Sequence, residues 1–219
     1  MGSRPGDPCL RLGVLVSGSG SNLQALIDAI ERKELPGVEI ALVVSNKADA
    51  SGLQRALRHK IPAIYLPWKH SLESETKLTA LLRLFQVDLL VLAGWMRILS
   101  ASFLEQFPQR VINLHPALLP DDGQGTTYIT TDGTPIPVFR GLHAVRQALD
   151  ARVTLTGSTV HYVTAEVDAG PVICREEVAI EAGDTEETLH ERIKAVEHRL
   201  IVEAVRRCKN IKKQVSSSK

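Results

Sequence analysis

Asn113 and His115 concentrate more chemistry in a short stretch than any other part of this sequence. They stand in Asn113-Leu114-His115-Pro116. In a strand, side chains two residues apart project from one face. An amide donor beside an imidazole suits a reaction in which negative charge grows on an oxygen. The same spacing also fits a core histidine satisfied by backbone groups. Asp168 stands in Val167-Asp168-Ala169-Gly170-Pro171. Near His115, an ionised carboxylate is expected to favour imidazolium and raise that pKa. By residue type alone, the same Asp, Gly and Pro read first as a turn.

A second group is Ser17-Gly18-Ser19-Gly20-Ser21-Asn22. Glycine lets backbone approach a ligand closely, and amides at a helix start face an anion, so this turn is expected to hold a phosphate. It is no Walker A loop, because no Gly-Lys-Ser/Thr follows, and no dinucleotide fingerprint, because Leu23 takes the third glycine's place. Its plain alternative is a tight turn in which Ser21 or Asn22 caps the helix. Met96-Arg97 is a further polar group near a strand end. Lys194 and Glu197, three apart, share a helix face, and a solvated pair is the plain alternative there.

The elements that must position these groups follow from hydrophobic pattern. Apolar runs at Leu10–Val16, Val38–Val44, Ala63–Leu66, Asp88–Ala93 and Arg110–His115 read as buried strands. The first three are each followed by a helical stretch: Leu23, Leu26, Ile27 and Ile30 mark the first helix, residues 51–59 the second, and Leu78, Leu81, Leu82 and Phe85 the third. That alternation predicts an α/β fold, Rossmann-like and doubly wound, with a mostly parallel sheet. Ligands in such sheets bind beyond the carboxyl ends of the strands, near the reversal of strand order. Val153–Val163 and Val172–Ile180 predict an antiparallel edge. A helix is expected over 142–150, and a long amphipathic one over 185–207, with Leu189, Ile193, Val196, Leu200 and Ala204 on one face. Between Asp121 and Val138 the composition turns to Thr, Gly and Pro, and Asp132-Gly133 predicts a projecting hairpin. The expected organisation is a flexible segment 1–9, a single domain over 10–208 with the hairpin insertion at 121–138, and a flexible basic tail over 209–219.

Composition narrows the partners. The 219 residues include 26 Lys and Arg against 25 Asp and Glu, for a net charge of +1. No global field favours nucleic acid or an acidic membrane, and 4% aromatic residues argue against stacking platforms for single strands. No apolar run approaches a membrane span, and no export signal is evident at the N-terminus. Cys9, Cys174 and Cys208 are far apart without a C-x-x-C, which predicts a reducing, cytoplasmic setting and no cysteine metal site.

Taken together, Ser17-Gly-Ser-Gly-Ser-Asn-Leu-Gln24, Ser45-Asn-Lys-Ala-Asp49, Leu92-Ala-Gly-Trp-Met-Arg-Ile-Leu99, Asn113-Leu-His-Pro-Ala-Leu-Leu-Pro120, Val167-Asp-Ala-Gly-Pro171 and Glu197-His198 resemble, in that order, the phosphoribosylglycinamide formyltransferase (GAR transformylase) family. The resemblance spans about Arg11 to Val205. It implies a formyltransferase fold and transfer of the formyl group of 10-formyltetrahydrofolate to the amine of glycinamide ribonucleotide, in purine synthesis. The small-molecule substrates would then be those two compounds. No metal is implied, nor any nucleic-acid or membrane partner, and the assembly would be a monomer or homodimer.

Residue by residue, Asn113, His115 and Asp168 match the family's catalytic trio. Gly20, Ser21 and Asn22 match its phosphate turn, Lys194 a residue near that phosphate, and Glu197 an acceptor from the ribose hydroxyls. Met96, Arg97, Ile98 and Leu99 match a folate-contacting stretch, with Leu92 in the pocket wall and Asn113 alongside. Thr164, Ala165, Glu166, Val167 and Asp168 match the loop that reads the pterin. His143 matches a rim histidine, while Val145 stands where a second histidine often occurs. Lys69 and Lys77 are candidates for the folate tail. The segment Asp121–Val138 is longer than the family's usual link to Phe139-Arg-Gly-Leu-His143, and is expected either to cover the folate cleft or to meet a partner. A transferase for another acceptor, a formyl-folate hydrolase and a non-catalytic nucleotide-binding module are the competing functions.

Overall fold

The structure, a computed structural model, describes the backbone of residues 9–217 and side chains as far as Lys209. Except for Cys9, the expected N-terminal segment lies outside the described residues, as do residues 218 and 219 of the expected tail. The chain divides into two compact units. One comprises the residues up to Ile112 with those from Val205 onward, the other Asn113–Ala204.

The first unit alternates strand and helix: β1 (Leu10–Val16), α1 (Ser21–Glu31), β2 (Val38–Ser45), α2 (Ser51–Arg58), β3 (Ala63–Tyr65), α3 (Ser71–Leu84), β4 (Leu89–Leu92), α4 (Ala101–Leu104) and the start of β5 (Val111–His115). Its strands lie in the order β3-β2-β1-β4, and their pairings are parallel. The chain therefore steps outward from β1 to β3 and returns on the other side of β1. The reversal between β1 and β4 is where ligands bind in sheets of this kind. Leu12, Val14, Leu15 and Val16 in β1, and Leu42, Val43 and Val44 in β2, are all buried. Successive residues buried on both faces make these strands continuous apolar runs. In α1, Leu23, Leu26, Ile27 and Ala29 turn inward, and in α3 Leu78 and Leu82 do so. The short α4 leaves no periodic trace in the sequence. It starts at Ser100, whose Oγ accepts from the Phe103 N–H at 3.2 Å. Buried Glu75 accepts from the Ser100 N–H at 2.7 Å and its hydroxyl at 2.5 Å.

The second unit carries the end of β5, β6 (Thr127–Ile129), β7 (Pro135–Pro137), α5 (Ala144–Asp150), β8 (Leu155–Tyr162), β9 (Val172–Ala179) and α6 (Glu186–Ser217) as far as Ala204. β8 and β9 are antiparallel, with a shift of register between Val160 and His161. β6 and β7 form the expected hairpin. It does not project, however. Tyr128 and Ile136 are buried with Leu118, with Val138 and Val153 packed alongside. Glu177 of β9 accepts from the Tyr128 hydroxyl at 3.1 Å, from the Thr131 N–H at 2.8 Å and from the Thr131 hydroxyl at 2.6 Å. The alternation of Tyr128 and Ile136 with exposed neighbours gives the small sheet one apolar face, which is buried.

α6 continues beyond Arg207, where the apolar stripe sets its expected end. The Lys, Asn and Gln that follow hold no Gly or Pro, and Lys and Gln sustain helix without packing. Among the described residues no helix is long and apolar enough to cross a membrane, and no disulfide forms.

Candidate active site

β5 delivers Asn113 and His115 to the same face, and the loop after β8 delivers Asp168. The three side chains meet. Asn113 Nδ2 donates to Asp168 Oδ1 at 3.3 Å, and His115 Nδ1 faces Asp168 Oδ2 at 3.3 Å. His115 is 3% and Asp168 9% exposed, so both lie where charges act at short range with little screening. The far nitrogen of His115, Nε2, lies 2.8 Å from the Phe139 carbonyl. A carbonyl only accepts, so Nε2 carries the proton. The backbone of His115 is tied to β8, whose Ser158 hydroxyl donates to the His115 carbonyl at 3.1 Å.

Two opposing effects bear on the expectation that Asp168 makes His115 an imidazolium. Burial pushes the His115 pKa below its ordinary value, and the Asp168 charge and the Phe139 carbonyl only partly offset it. Asp168 is nonetheless ionised. Burial opposes its charge, but the neighbouring His161 and His115 and the Gly141 N–H bring its pKa down to about 2. A neutral His115 protonated on Nε2 would turn the lone pair of Nδ1 toward the Asp168 carboxylate, so burial and geometry pull the imidazole in opposite directions.

His161 was not among the residues expected here. Its Nε2 lies 3.3 Å from Asn113 Nδ2 and 3.4 Å from Asp168 Oδ1, while Nδ1 donates to the Tyr162 carbonyl at 2.9 Å. The register shift beside it places the extra residue, Ile173, in β9, and its contacts with Asn113 and Asp168 join elements far apart in the sequence. Arg140 and Gly141 were likewise read only as part of a motif. The Gly141 N–H donates to Asp168 Oδ2 at 2.9 Å, and Arg140 Nε to the Asp168 carbonyl at 3.0 Å.

The phosphate turn lies at the end of β1. Gly20 is the N-cap of α1 with φ +70, and no side chain caps the helix. This overturns the alternative that Ser21 or Asn22 caps it: both lie inside the first turn. The first amides of α1 are therefore not taken up by a capping side chain, as an anion site requires. Ser17 links this turn to neighbouring strand ends. Its hydroxyl donates to Asn46 Oδ1 at 2.7 Å and accepts from the Met96 N–H at 2.9 Å.

In the folate-matching stretch, Leu92 and Leu99 are buried, whereas Met96 and Ile98 are 56% and 72% exposed, and Arg97 is exposed. Thr164, Ala165, Glu166 and Val167 are exposed as well, a solvent-facing loop ahead of buried Asp168. His143 is exposed at the N-cap of α5. Val145 is buried at 6%, so a hydrophobic residue fills that position as core. Lys69 is exposed, and Lys77 pairs with Glu73 at 2.5 Å. Glu197 is buried, and Lys194 pairs with Glu191, so Lys194 and Glu197 are not the solvated pair of the plain reading.

The formyl transferase family model matches residues 10–205, and the chain belongs to that family. Among its relatives, the phosphoribosylglycinamide formyltransferase of Escherichia coli (strain K12) is 38% identical over 194 residues, 86% of this chain and 82% of that enzyme. The trifunctional purine biosynthetic protein adenosine-3 of Homo sapiens is 40% identical over 198 residues, 89% of this chain, but the chain spans only 18% of that protein's length. The crystal structure of glycinamide ribonucleotide transformylase 1 from Symbiobacterium toebii superposes with a TM-score of 0.80 at 40% identity, covering 92% of this chain and 88% of that one. The mostly parallel α/β architecture with an antiparallel edge is the one read from the sequence.

Proposed function

We propose that the protein transfers the formyl group of 10-formyltetrahydrofolate to the amine of glycinamide ribonucleotide, with residues 10–208 acting as one functional domain. The observation that carries this reading is the meeting of the Asn113 amide, the His115 imidazole and an ionised Asp168. Family membership and the names of the relatives support it.

The neutral amine attacks the formyl carbon. A bond forms between them, and negative charge collects on the formyl oxygen. Donors aimed at that charge are worth a few kcal/mol each, and the Asn113 amide is one such donor. The attacking nitrogen becomes strongly acidic as it bonds. Its proton passes, directly or through water, to the Asp168–His115 pair. An imidazolium at His115 is favoured by the Asp168 carboxylate and by the negative oxygen. The proton then goes to the folate nitrogen as the carbon–nitrogen bond to the folate breaks. The reaction thus needs no cysteine or serine nucleophile.

For binding, we assign the phosphate to Gly20, Ser21 and Asn22, aided by Lys194, and the ribose hydroxyls to Glu197. Folate is assigned to Leu92, Met96, Arg97, Ile98 and Leu99 and to the backbone of Thr164–Asp168. Exposed His143 stands as a rim residue. The decisive experiment follows the absorbance of 10-formyltetrahydrofolate with and without glycinamide ribonucleotide. Consumption that depends on the ribonucleotide is expected. Consumption without it makes the protein a hydrolase, and none in either case makes it a binding module.

A further inference from the structure

Asp168 sits in a backbone conformation that few side-chain-bearing residues adopt, with φ +50. Aspartate tolerates the left-handed region better than most, but such a residue persists only where its surroundings over-determine it. The surroundings are unusual here, because two consecutive residues grip Asp168 from both ends. The Gly141 N–H holds the carboxylate at 2.9 Å, and the Arg140 guanidinium holds the main-chain carbonyl at 3.0 Å. Just before them, Phe139 supplies the carbonyl that fixes His115. Three successive residues thus orient two members of the proposed catalytic trio.

Arg140 is itself seated by the segment that lengthens this chain. Its Nη2 donates to the Gly123 carbonyl at 2.6 Å and the Gly125 carbonyl at 2.8 Å. The same turn touches the Asp168 loop independently. Gln124 Nε2 donates to the Ala169 carbonyl at 2.7 Å, and the Asp121 carbonyl accepts from the Val172 N–H at 2.9 Å. At Gly123, with φ +75, a Cβ would fall 2.4 Å from the Gly170 carbonyl oxygen, so the two backbones lie against each other. The turn is anchored in turn by the hairpin seated on Glu177 and by Asp121, paired with Arg175 at 2.6 Å.

We infer that Arg140 is a positioning residue for Asp168, and that the first turn of the insertion, residues 121–125, is the seat from which it aims that residue. The insertion is then an integral brace of the catalytic loop and not a mobile cover. This rests on the proposed role of Asp168. A guanidinium suits the task because its planar fork carries donors on separate nitrogens in a fixed plane, whereas an ammonium carries all three on one atom.

The test is a double-mutant cycle on turnover of 10-formyltetrahydrofolate with glycinamide ribonucleotide, using Arg140→Met, Asp168→Asn and the double variant. Arg140→Met is expected to lower kcat by about 10- to 100-fold, the scale of a misplacement near 1 Å. It should leave KM for the ribonucleotide within about 2-fold, since it acts through geometry at the chemical step. Arg140→Lys should recover part of the loss. The double variant should be no slower than Asp168→Asn alone. Wild-type kcat in Arg140→Met, or losses that multiply in the double variant, overturn the inference while leaving Asp168 in place. Near-wild-type turnover in Asp168→Asn itself overturns the role of Asp168, and the inference with it. If Arg140→Met shows no cooperative thermal transition, Gln124→Ala enters the same cycle. A loss that vanishes in the Asp168→Asn background supports the inference, and one that multiplies, or no loss at all, overturns it.

Discussion

His115 Nδ1 lies 3.3 Å from Asp168 Oδ2 in a buried setting, where burial and the carboxylate act on the imidazole in opposite directions. Burial lowers the His115 pKa more than the carboxylate raises it. The Asp168 carboxylate accepts from Asn113 and Gly141. An ionised carboxylate beside an imidazole can take up the proton that the attack releases.

Acid should destabilise the fold through both members. The Asp168 pKa is depressed from 3.8 to about 2, so its contribution is present above about pH 4 and lost as pH falls toward 2. That shift is worth about 2 kcal/mol. The His115 pKa is also depressed. Its contribution is complete above the ordinary histidine value and is lost as pH falls below it, because the unfolded chain takes a proton the folded one refuses. Thermal midpoints measured from about pH 8 down to about pH 5 should fall for the wild type. The decline should be shallower in His115→Gln, and an equal slope in both proteins would remove His115 as its source.

Asp168→Asn should leave the protein folded and cut kcat by about 10²- to 10³-fold, the usual scale for a lost proton-transfer group. Asparagine keeps the shape and an acceptor for Gly141 but carries no charge. Steady-state kinetics at saturating substrates give the answer, and turnover within about 2-fold of wild type would contradict the assigned role.

Gly170→Ala tests the loop from its other side. A Cβ there would fall 1.8 Å from the Tyr162 carbonyl oxygen and 2.8 Å from its carbon, at the point where the Tyr162 N–H donates to the Pro171 carbonyl at 2.9 Å. Backbone cannot yield as a flexible side chain would, so the loop must shift. The expected cost is about 1–3 kcal/mol in chemical denaturation, together with a loss of kcat, since Asp168 lies two residues away.

What the sequence made legible, and what it hid, divides along physical lines. Strands buried on both faces write themselves as unbroken apolar runs, so β1 is read at Leu10–Val16, the bounds observed. Asn113 and His115 were legible because strand alternation alone puts them together. His161 was not, because its partners Asn113 and Asp168 come from other elements. Arg140 was not, because its partners are carbonyls of Gly123, Gly125 and Asp168, and a carbonyl has no identity in a sequence. The seating of the hairpin was missed for a related reason. Asp132-Gly133 specifies a turn, but the residue that moors the hairpin is Glu177, far along the chain. The protonation of His115 required its burial to be known as well as its charged neighbour.

The ribonucleotide assignment predicts a separation of effects. Asn22→Ala or Glu197→Ala should raise KM for the ribonucleotide by about 10-fold or more, the loss of a hydrogen bond to a charged or fully desolvated group. KM for the folate should stay within about 2-fold. Gly20→Ala probes the same turn through its backbone. Gly20 has φ +70, and a Cβ would come within 2.7 Å of the Gly52 Cα, whose N–H donates to the Gly18 carbonyl at 3.1 Å. Arg55 Nε holds the Ser19 carbonyl at 2.8 Å, so the turn cannot move away freely. The amides at the start of α1 should therefore be turned from their present direction, and the ribonucleotide KM should rise at least as much as in Asn22→Ala. A defect confined to the folate KM in any of these three variants would move the phosphate away from this turn.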